Sequence, residues 1–142
     1  MRRSPLKRTP MRSKRSSTGP SRDVVEAVYE RAQWSCERCS SAVGPRRGEE
    51  HHIHHRRPRA AGGTNRPETN LPSNLLLLCP DCHEAIESFR AEALAAGWLV
   101  PQSADPAETA VLIRRDTWFY LTDDGDYDVH PPRWREKGNG DA

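Results

Sequence analysis

Two Cys-x-x-Cys pairs constrain the fold of this chain more than any other feature of its sequence. The pairs are Cys36/Cys39 and Cys79/Cys82, with 39 residues between them and no cysteine left over. Two such pairs predict one tetrahedral zinc ion held by four thiolates. Two disulfides are the alternative, but the knuckle-like spacing and the expected lack of export argue against them. A thioredoxin-like redox motif is disfavoured because neither pair lies in a βαβ pattern.

A structural zinc ion would compensate for a thin hydrophobic core. The chain has 142 residues, enough for one domain with tails, and only 35% of them are hydrophobic. Structural zinc sites bind with roughly 10 to 16 kcal/mol, as much as the whole stability of about 5 to 15 kcal/mol that a small domain has. We therefore expect removal of the metal to unfold the centre of the domain.

The charge is distributed unevenly along the chain. Residues 1–22 carry eight Lys or Arg and no acidic residue, whereas the rest of the chain has 14 basic and 20 acidic residues. The basic segment is too poor in apolar residues to fold, so we predict a disordered arm. No run of ten apolar residues exists, and charges occupy the place where a signal peptide would be apolar. We expect no membrane association and a cytoplasmic location.

The first half of the chain predicts a helix and two strands. Ser21 suits the N-cap of a helix that ends near Gln33. A short strand is expected over residues 49–55, followed by a long irregular loop rich in Pro and Gly. The run Leu75–Leu78 is entirely apolar and too short for a helix, which indicates a strand packed on both faces.

The second half predicts a helix and a small β unit, which makes the fold class α+β. A helix is expected over residues 83–96, ended by Gly97. Its inward-facing side chains would be Ile86, Phe89 and Ala93. Two strands are expected over residues 110–113 and 118–121. The predicted organisation is a basic arm (1–22), a zinc-stabilised domain (23–100), a β-hairpin appendage (101–130) and a flexible tail (131–142).

Four of the six histidines lie within five residues, at His51, His52, His54 and His55. Side chains alternate across a strand, so neighbouring histidines point apart and do not easily ligate one ion together. One of such a pair can bind a metal while the other activates water. His83 directly follows the second cysteine pair and is available for another ion, because four thiolates already complete a zinc shell.

These residues together resemble the HNH endonuclease motif. The first part is the run from His54 to Gly63, HHRRPRAAGG, and the second is the run from Asn74 to His83, NLLLLCPDCH. The resemblance is strongest to the small zinc-bearing HNH nucleases of tailed bacteriophages. It implies a ββα-metal finger with one catalytic divalent cation, braced by the four-cysteine zinc.

The resemblance also implies a role for each motif residue. It makes His54 and His83 ligands of the catalytic ion, His55 the general base and Asn74 the residue that pins the loop and orients the imidazole. The upstream pair His51/His52 is the other possible register. The spacing of the following Pro and Gly-Gly to the family pattern favours the His54 pair, although Arg stands at position 56 where Ile or Val is usual.

The residue types suit phosphodiester hydrolysis. An imidazole with a pKa near 6.5 can take a proton from water at physiological pH, and a hard divalent ion neutralises charge on the phosphate. Glu87 lies one helical turn after His83, where many relatives carry another ligand, and a carboxylate there would favour Mg²⁺ or Mn²⁺. The alternative for Glu87 is a solvated helix glutamate.

Double-stranded DNA is the expected partner. Arg56, Arg57 and Arg59 flank the histidines and could bind phosphates, and the basic arm could add salt-dependent attraction. Three tryptophans are expected to pack in the core rather than to stack on bases: Trp34, Trp98 and Trp118.

The sequence therefore predicts a metal-dependent DNA endonuclease. The resemblance to phage relatives further implies a role in genome processing or packaging beside the large terminase subunit. Two other classes stay open: a zinc-finger module that binds nucleic acid without cutting it, and a zinc-stapled protein-interaction domain.

Overall fold

The computed structural model describes residues 19–43, 51–58 and 66–132. Most of the predicted arm and tail, Arg59 and the Gly-Gly of the motif lie outside the described residues. The helices are α1 (Arg22–Ala32), α2 (Pro80–Ser88) and α3 (Arg90–Ala95), and the strands are β1 (His52–His55), β2 (Leu75–Leu78), β3 (Val111–Ile113), β4 (Thr117–Leu121) and β5 (Tyr127–Asp128). Short 3-10 turns lie at Pro67–Asn70, Pro72–Asn74 and Pro106–Glu108. No helix among these is long and apolar enough to cross a membrane.

The centre of the fold is an antiparallel pair, β1 and β2, with helices on both faces. His54 pairs with Leu76, and Ile53 pairs with Leu77. Because side chains alternate, Leu76 faces one cluster with α2, whereas Leu77 faces another with Val28 of α1. All four residues of β2 are buried, as the apolar run predicts.

Helix α1 forms as its capping signals predict. The Ser21 hydroxyl accepts a hydrogen bond from the Val24 amide at 3.3 Å, and the helix ends at Gln33 in a left-handed conformation. Buried Arg31 makes a bidentate pair with Glu37, at 2.8 and 2.9 Å. The Tyr127 hydroxyl donates to the same carboxylate at 2.8 Å. This network joins α1, the first cysteine turn and β5.

The single helix predicted over 83–96 is wrong, because the chain breaks at Phe89 (φ −121°, ψ 65°) into α2 and α3. The helical spacing that assigned Phe89 to the inner face does not continue through the break, and its side chain is 63% exposed. Gly97 ends α3 with φ 76°, and a Cβ there would lie 2.0 Å from the Ala110 carbonyl oxygen. Only glycine fits this approach.

The C-terminal strands form a three-stranded antiparallel sheet, β3-β4-β5, where the sequence predicts a hairpin. Its buried residues Val111 and Leu121 share one core cluster with Leu76 of the central pair. The sheet therefore completes the main core of the domain. The sequence predicts an appendage here, because each of these strands is short when taken alone.

One of the three tryptophans meets its prediction. Trp98 is 4% exposed, but Trp34 and Trp118 are 58% and 50% exposed, so their prediction as core residues is wrong. Trp34 has φ 56° directly after the end of α1, where the chain leaves the helix axis. Trp118 lies between Thr117 and Phe119 on β4, and alternation turns it away from the face that packs on the core.

Candidate functional site

The four cysteines form one cluster, which confirms that the two pairs combine. Their sulfur atoms all lie within 4.8 Å of one another, and all four are free thiols. Cys36 and Cys39 lie in the turn after α1, where the Cys36 carbonyl accepts from the Ser40 amide at 2.9 Å. Cys79 caps the N-terminus of α2, which places Cys82 in its first turn. Four sulfurs at this separation suit zinc.

The protonation of these thiols depends on their surroundings. Burial raises the pKa of both Cys36 and Cys82 above the usual value of a thiol. Burial also acts to raise the pKa of Cys39, but hydrogen bonds with Ser41, Cys82 and Cys36 together outweigh it and bring the pKa to about 6. Zinc binds thiolates, so its binding would release the protons that burial retains.

A second cluster of possible ligands lies beside the first. The ligand atoms of His54, His83 and Glu87 all lie within 4.8 Å of one another. His54 is on the face of β1 that meets α2, and His83 and Glu87 are one turn apart on that helix. His54 is 3% exposed, whereas Glu87 is exposed. Two imidazoles and one carboxylate could hold a divalent cation that stays open to solvent on one side.

The surroundings of His54 prepare its imidazole for this role. Its Nε2 lies 2.9 Å from the Trp98 carbonyl oxygen, which can only accept, so Nε2 carries the proton and Nδ1 keeps its lone pair. Burial lowers the pKa of His54 to about 4, helped by His83 and His55 and opposed by the Trp98 carbonyl and Glu87. The ring is therefore neutral near pH 7, as a metal ligand must be.

The His55 ring is oriented by an amide that the sequence analysis missed. Its Nε2 lies 2.9 Å from Asn70 Oδ1, an oxygen that only accepts, so the proton is on Nε2 and Nδ1 is an acceptor. Asn70 lies at the end of a 3-10 turn in the irregular loop. No periodic or spacing signal marks it, because only the fold of the loop brings it to His55.

Asn74 pins the loop that follows β1. It is fully buried, its Oδ1 accepts from the Arg57 amide at 2.7 Å, and its Nδ2 donates to the Thr69 carbonyl at 2.8 Å. Its backbone carbonyl also accepts from the Arg56 amide at 2.8 Å. Asn74 therefore holds the loop through these hydrogen bonds, whereas the partner of His55 Nε2 is Asn70.

The predicted DNA contact by Arg56 is wrong, because its side chain lies in the core. It is 0% exposed and donates to four backbone carbonyls between 2.8 and 2.9 Å: those of Gly97, Ser73, Pro106 and Thr109. Burial lowers the pKa of this guanidinium to about 9, which leaves it charged at neutral pH. Arg56 stands where the family pattern has an apolar residue, and it fills that buried place with its donors satisfied.

Arg57 is also largely buried, at 7% exposure. Its Nη1 donates to the Ala104 carbonyl at 2.9 Å, and its Nη2 lies 3.5 Å from a Glu68 carboxylate oxygen. This burial and these contacts within the protein disagree with the predicted phosphate contact, and the Nη2 atom itself is buried with no hydrogen-bond partner among the described residues. Arg59 lies outside the described residues.

The upstream histidines take other positions. His51 Nε2 lies 3.0 Å from the Ser41 carbonyl oxygen, at the turn that carries the first cysteine pair. His52 is exposed and stacks on His83, with ring centroids 5.4 Å apart. Neither joins the cluster of His54, His83 and Glu87 within the described residues. Of the two histidine pairs, only the downstream pair therefore contributes a member, His54, to this cluster.

Comparison with known proteins points to the same region. Residues 36–89 match the model of the HNH endonuclease family. No curated protein and no solved structure matches the chain. The match begins at Cys36, ends next to the break after α2 and contains both clusters. An HNH domain suggests nuclease activity with DNA as the substrate.

Proposed function

We propose that this chain is a metal-dependent DNA endonuclease whose catalytic ion is held by His54, His83 and Glu87. The observation that carries the proposal is the convergence of these three ligands within 4.8 Å, next in sequence to an imidazole with an accepting Nδ1. Both features lie inside the segment that matches the HNH model. The four-cysteine cluster beside them would hold one structural zinc ion.

In the proposed reaction His55 is the general base. Its Nδ1 takes a proton from the water that attacks phosphorus, and the Asn70 amide oxygen stabilises the proton on Nε2 as the ring becomes charged. The bond from phosphorus to the 3′ oxygen breaks, and the departing 3′ oxygen takes a proton from solvent water. This leaves a 5′ phosphate and a 3′ hydroxyl, as the family resemblance implies. Asn74 keeps the loop after β1 in place during this step.

The donor set suits a divalent cation such as Mg²⁺ or Mn²⁺. A carboxylate favours hard ions, and two imidazole ligands are compatible with Mn²⁺. Such an ion supplies positive charge that neutralises the phosphate oxygens in the transition state. The His54 ring is oriented by the Trp98 carbonyl. His83 lies on α2, and its ring contacts those of His52 and His54.

We further propose that the substrate is double-stranded DNA in phage genome processing or packaging, in partnership with the large terminase subunit. The support is the resemblance of the motif to the zinc-bearing HNH nucleases of tailed bacteriophages. Arg59 and the basic residues of 1–22 remain the candidates for phosphate contact, because the structure places Arg56 and Arg57 in protein contacts.

A plasmid assay tests the nuclease proposal. Supercoiled plasmid is incubated with the zinc-loaded chain and Mg²⁺ or Mn²⁺, with and without terminase. We expect nicked or linear product from the native chain and a loss of about 100-fold or more in rate for His55→Ala. Because His55 is only half-buried, this variant should keep its zinc and its melting temperature.

Each outcome separates the classes of function. Zinc retention and DNA binding without cleavage in any metal would favour a binding module. Zinc retention with neither binding nor cleavage, even with terminase present, would favour a protein-interaction domain. Equal cleavage by the native chain and His55→Ala would remove His55 from the mechanism.

A further inference from the structure

A continuous series of contacts joins the four-cysteine cluster to the ligand His54. Arg38 Nη1 donates to Cys82 Sγ at 3.3 Å. The same guanidinium lies 4.6 Å from the centroid of the Trp98 ring. The Trp98 carbonyl oxygen, in turn, lies 2.9 Å from His54 Nε2. Two residues distant in sequence, Arg38 and Trp98, therefore connect the two candidate metal centres.

Trp98 is held firmly enough to set the direction of its carbonyl. Its indole Nε1 donates to the Leu112 carbonyl at 2.8 Å, and its amide donates to the Ala93 carbonyl at 2.9 Å. The residue before it, Gly97, has a left-handed backbone in close contact with Ala110. Arg38 covers one face of the Trp98 ring. Movement of the Arg38 guanidinium would therefore remove a contact that holds one face of the Trp98 ring.

Arg38 depends on the cysteine cluster for its position. Its Nε is buried with no hydrogen-bond partner among the described residues, so the Cys82 sulfur and the Trp98 ring are what hold the guanidinium. Four thiolates around one Zn²⁺ carry a net negative charge, which attracts a cation. A cation over the face of an indole ring is attracted to the negative face of the π system. Binding of zinc by the four cysteines would thus stabilise the observed position of Arg38.

Cys82 is the point from which both histidine ligands are positioned. It directly precedes His83 on α2, so its place in the cluster fixes where that helix begins. Through Arg38 and Trp98 it also acts on His54. The separation of His54 and His83 would then be maintained, because the positions of both depend on Cys82.

We infer that Arg38 and Trp98 are positioning residues that couple the four-cysteine centre to the affinity of the His54/His83/Glu87 centre for its cation. The inference rests on the proposed function for the identity of that second centre. Neither residue ligates an ion. Their effect is to hold the tautomer and direction of the His54 ring, a type of outer contact whose loss weakens metal binding by about 10- to 100-fold.

The test is Mn²⁺ binding by the zinc-loaded full chain, measured by calorimetry without DNA. We expect Arg38→Gln to bind Mn²⁺ about 10-fold more weakly while it keeps one zinc per chain. The matched control is Arg115→Gln, because Arg115 is exposed in the turn between β3 and β4 and lies outside both clusters. The control should bind Mn²⁺ as the native chain does. Native affinity in Arg38→Gln with its zinc retained would overturn the inference.

The His54 tautomer provides a second readout that needs no added cation. Long-range ¹⁵N NMR of the zinc-loaded native chain should show the proton on Nε2, and Arg38→Gln should show a mixture of tautomers. If Arg38→Gln loses zinc, Arg38→Lys keeps the charge but not the planar guanidinium, and the same two measurements apply to it. Wild-type values for Arg38→Lys in both would count against the coupling. Absence of Mn²⁺ binding in the native chain would refute the proposed function, whereas the tautomer measurement would still decide the role of Arg38.

Discussion

The two candidate metal centres lie side by side but differ in how they could use an ion. The four-cysteine cluster offers four sulfur ligands, which is a complete tetrahedral shell. The other cluster offers three ligands, from His54, His83 and the exposed Glu87, which leaves coordination positions for water and phosphate. A closed shell suits a structural role and an open one suits catalysis.

The two centres also differ in what positions their ligands. The cysteines lie in two short turns, each of which brings its own pair together by local hydrogen bonds. His54 and His55 depend on groups far along the chain, the Trp98 carbonyl and the Asn70 amide. We therefore expect damage to the first centre to affect the fold, and damage to the second to affect binding and chemistry.

The largest expected effect comes from removing one ligand of the four-cysteine cluster. Cys36→Ser should lose zinc and with it the native fold, because the binding free energy of a structural zinc ion is about as large as the stability of a small domain. Circular dichroism and metal analysis would measure both losses. Removal of zinc from the native chain by a chelator should unfold it, and added zinc should restore it. A zinc-free chain with a cooperative native melt would contradict this prediction.

Loss of a ligand from the cluster of His54, His83 and Glu87 should have a different effect. His83→Ala should weaken Mn²⁺ binding by about 100-fold or more, since loss of a ligand exceeds loss of an outer contact. Plasmid cleavage should fall with it, while the zinc content and the melting temperature stay near those of the native chain. His130→Ala is the control, because His130 is exposed and far along the chain from the cluster. Unfolding of His83→Ala would show that the two centres do not differ as proposed.

A smaller effect is expected from Asn70, which bonds the proposed general base His55. Asn70→Ala should lower kcat by about 10-fold with KM and Mn²⁺ affinity unchanged, because His55 loses the acceptor on Nε2. Single-turnover cleavage would measure this. Asn70→Asp keeps an acceptor oxygen and should restore most of the rate. A role in loop structure alone would instead lower the melting temperature and would not distinguish the two variants.

The smallest effect should come from the exposed ligand. Glu87→Gln should weaken Mg²⁺ more than Mn²⁺, by about 3-fold in relative affinity, because the carboxylate is the hard ligand of the set. Calorimetric titration with both ions gives this ratio. Glu84→Gln is the matched control, since Glu84 is exposed on the same helix outside the cluster. An unchanged ratio in Glu87→Gln would indicate a solvated glutamate.

Much of the framework was predictable from the sequence. The Cys-x-x-Cys pairs, the apolar run of β2 and the capping residue Ser21 each act over a few neighbouring residues, and the structure agrees with all three. The separation of His83 and Glu87 by one turn also follows from local geometry. Helical periodicity did not predict the break at Phe89 between α2 and α3.

The sequence by itself determined which ligands are available and which of them lie on the same turn or strand, because these are properties of short-range geometry. Only the tertiary structure decided that Arg56 is buried among backbone carbonyls, that Asn70 orients His55, and that Trp98 orients His54. Arg56 bonds Gly97, and His54 bonds Trp98, across more than 40 residues. Such contacts depend on how separate segments pack together, and no spacing along the chain encodes them.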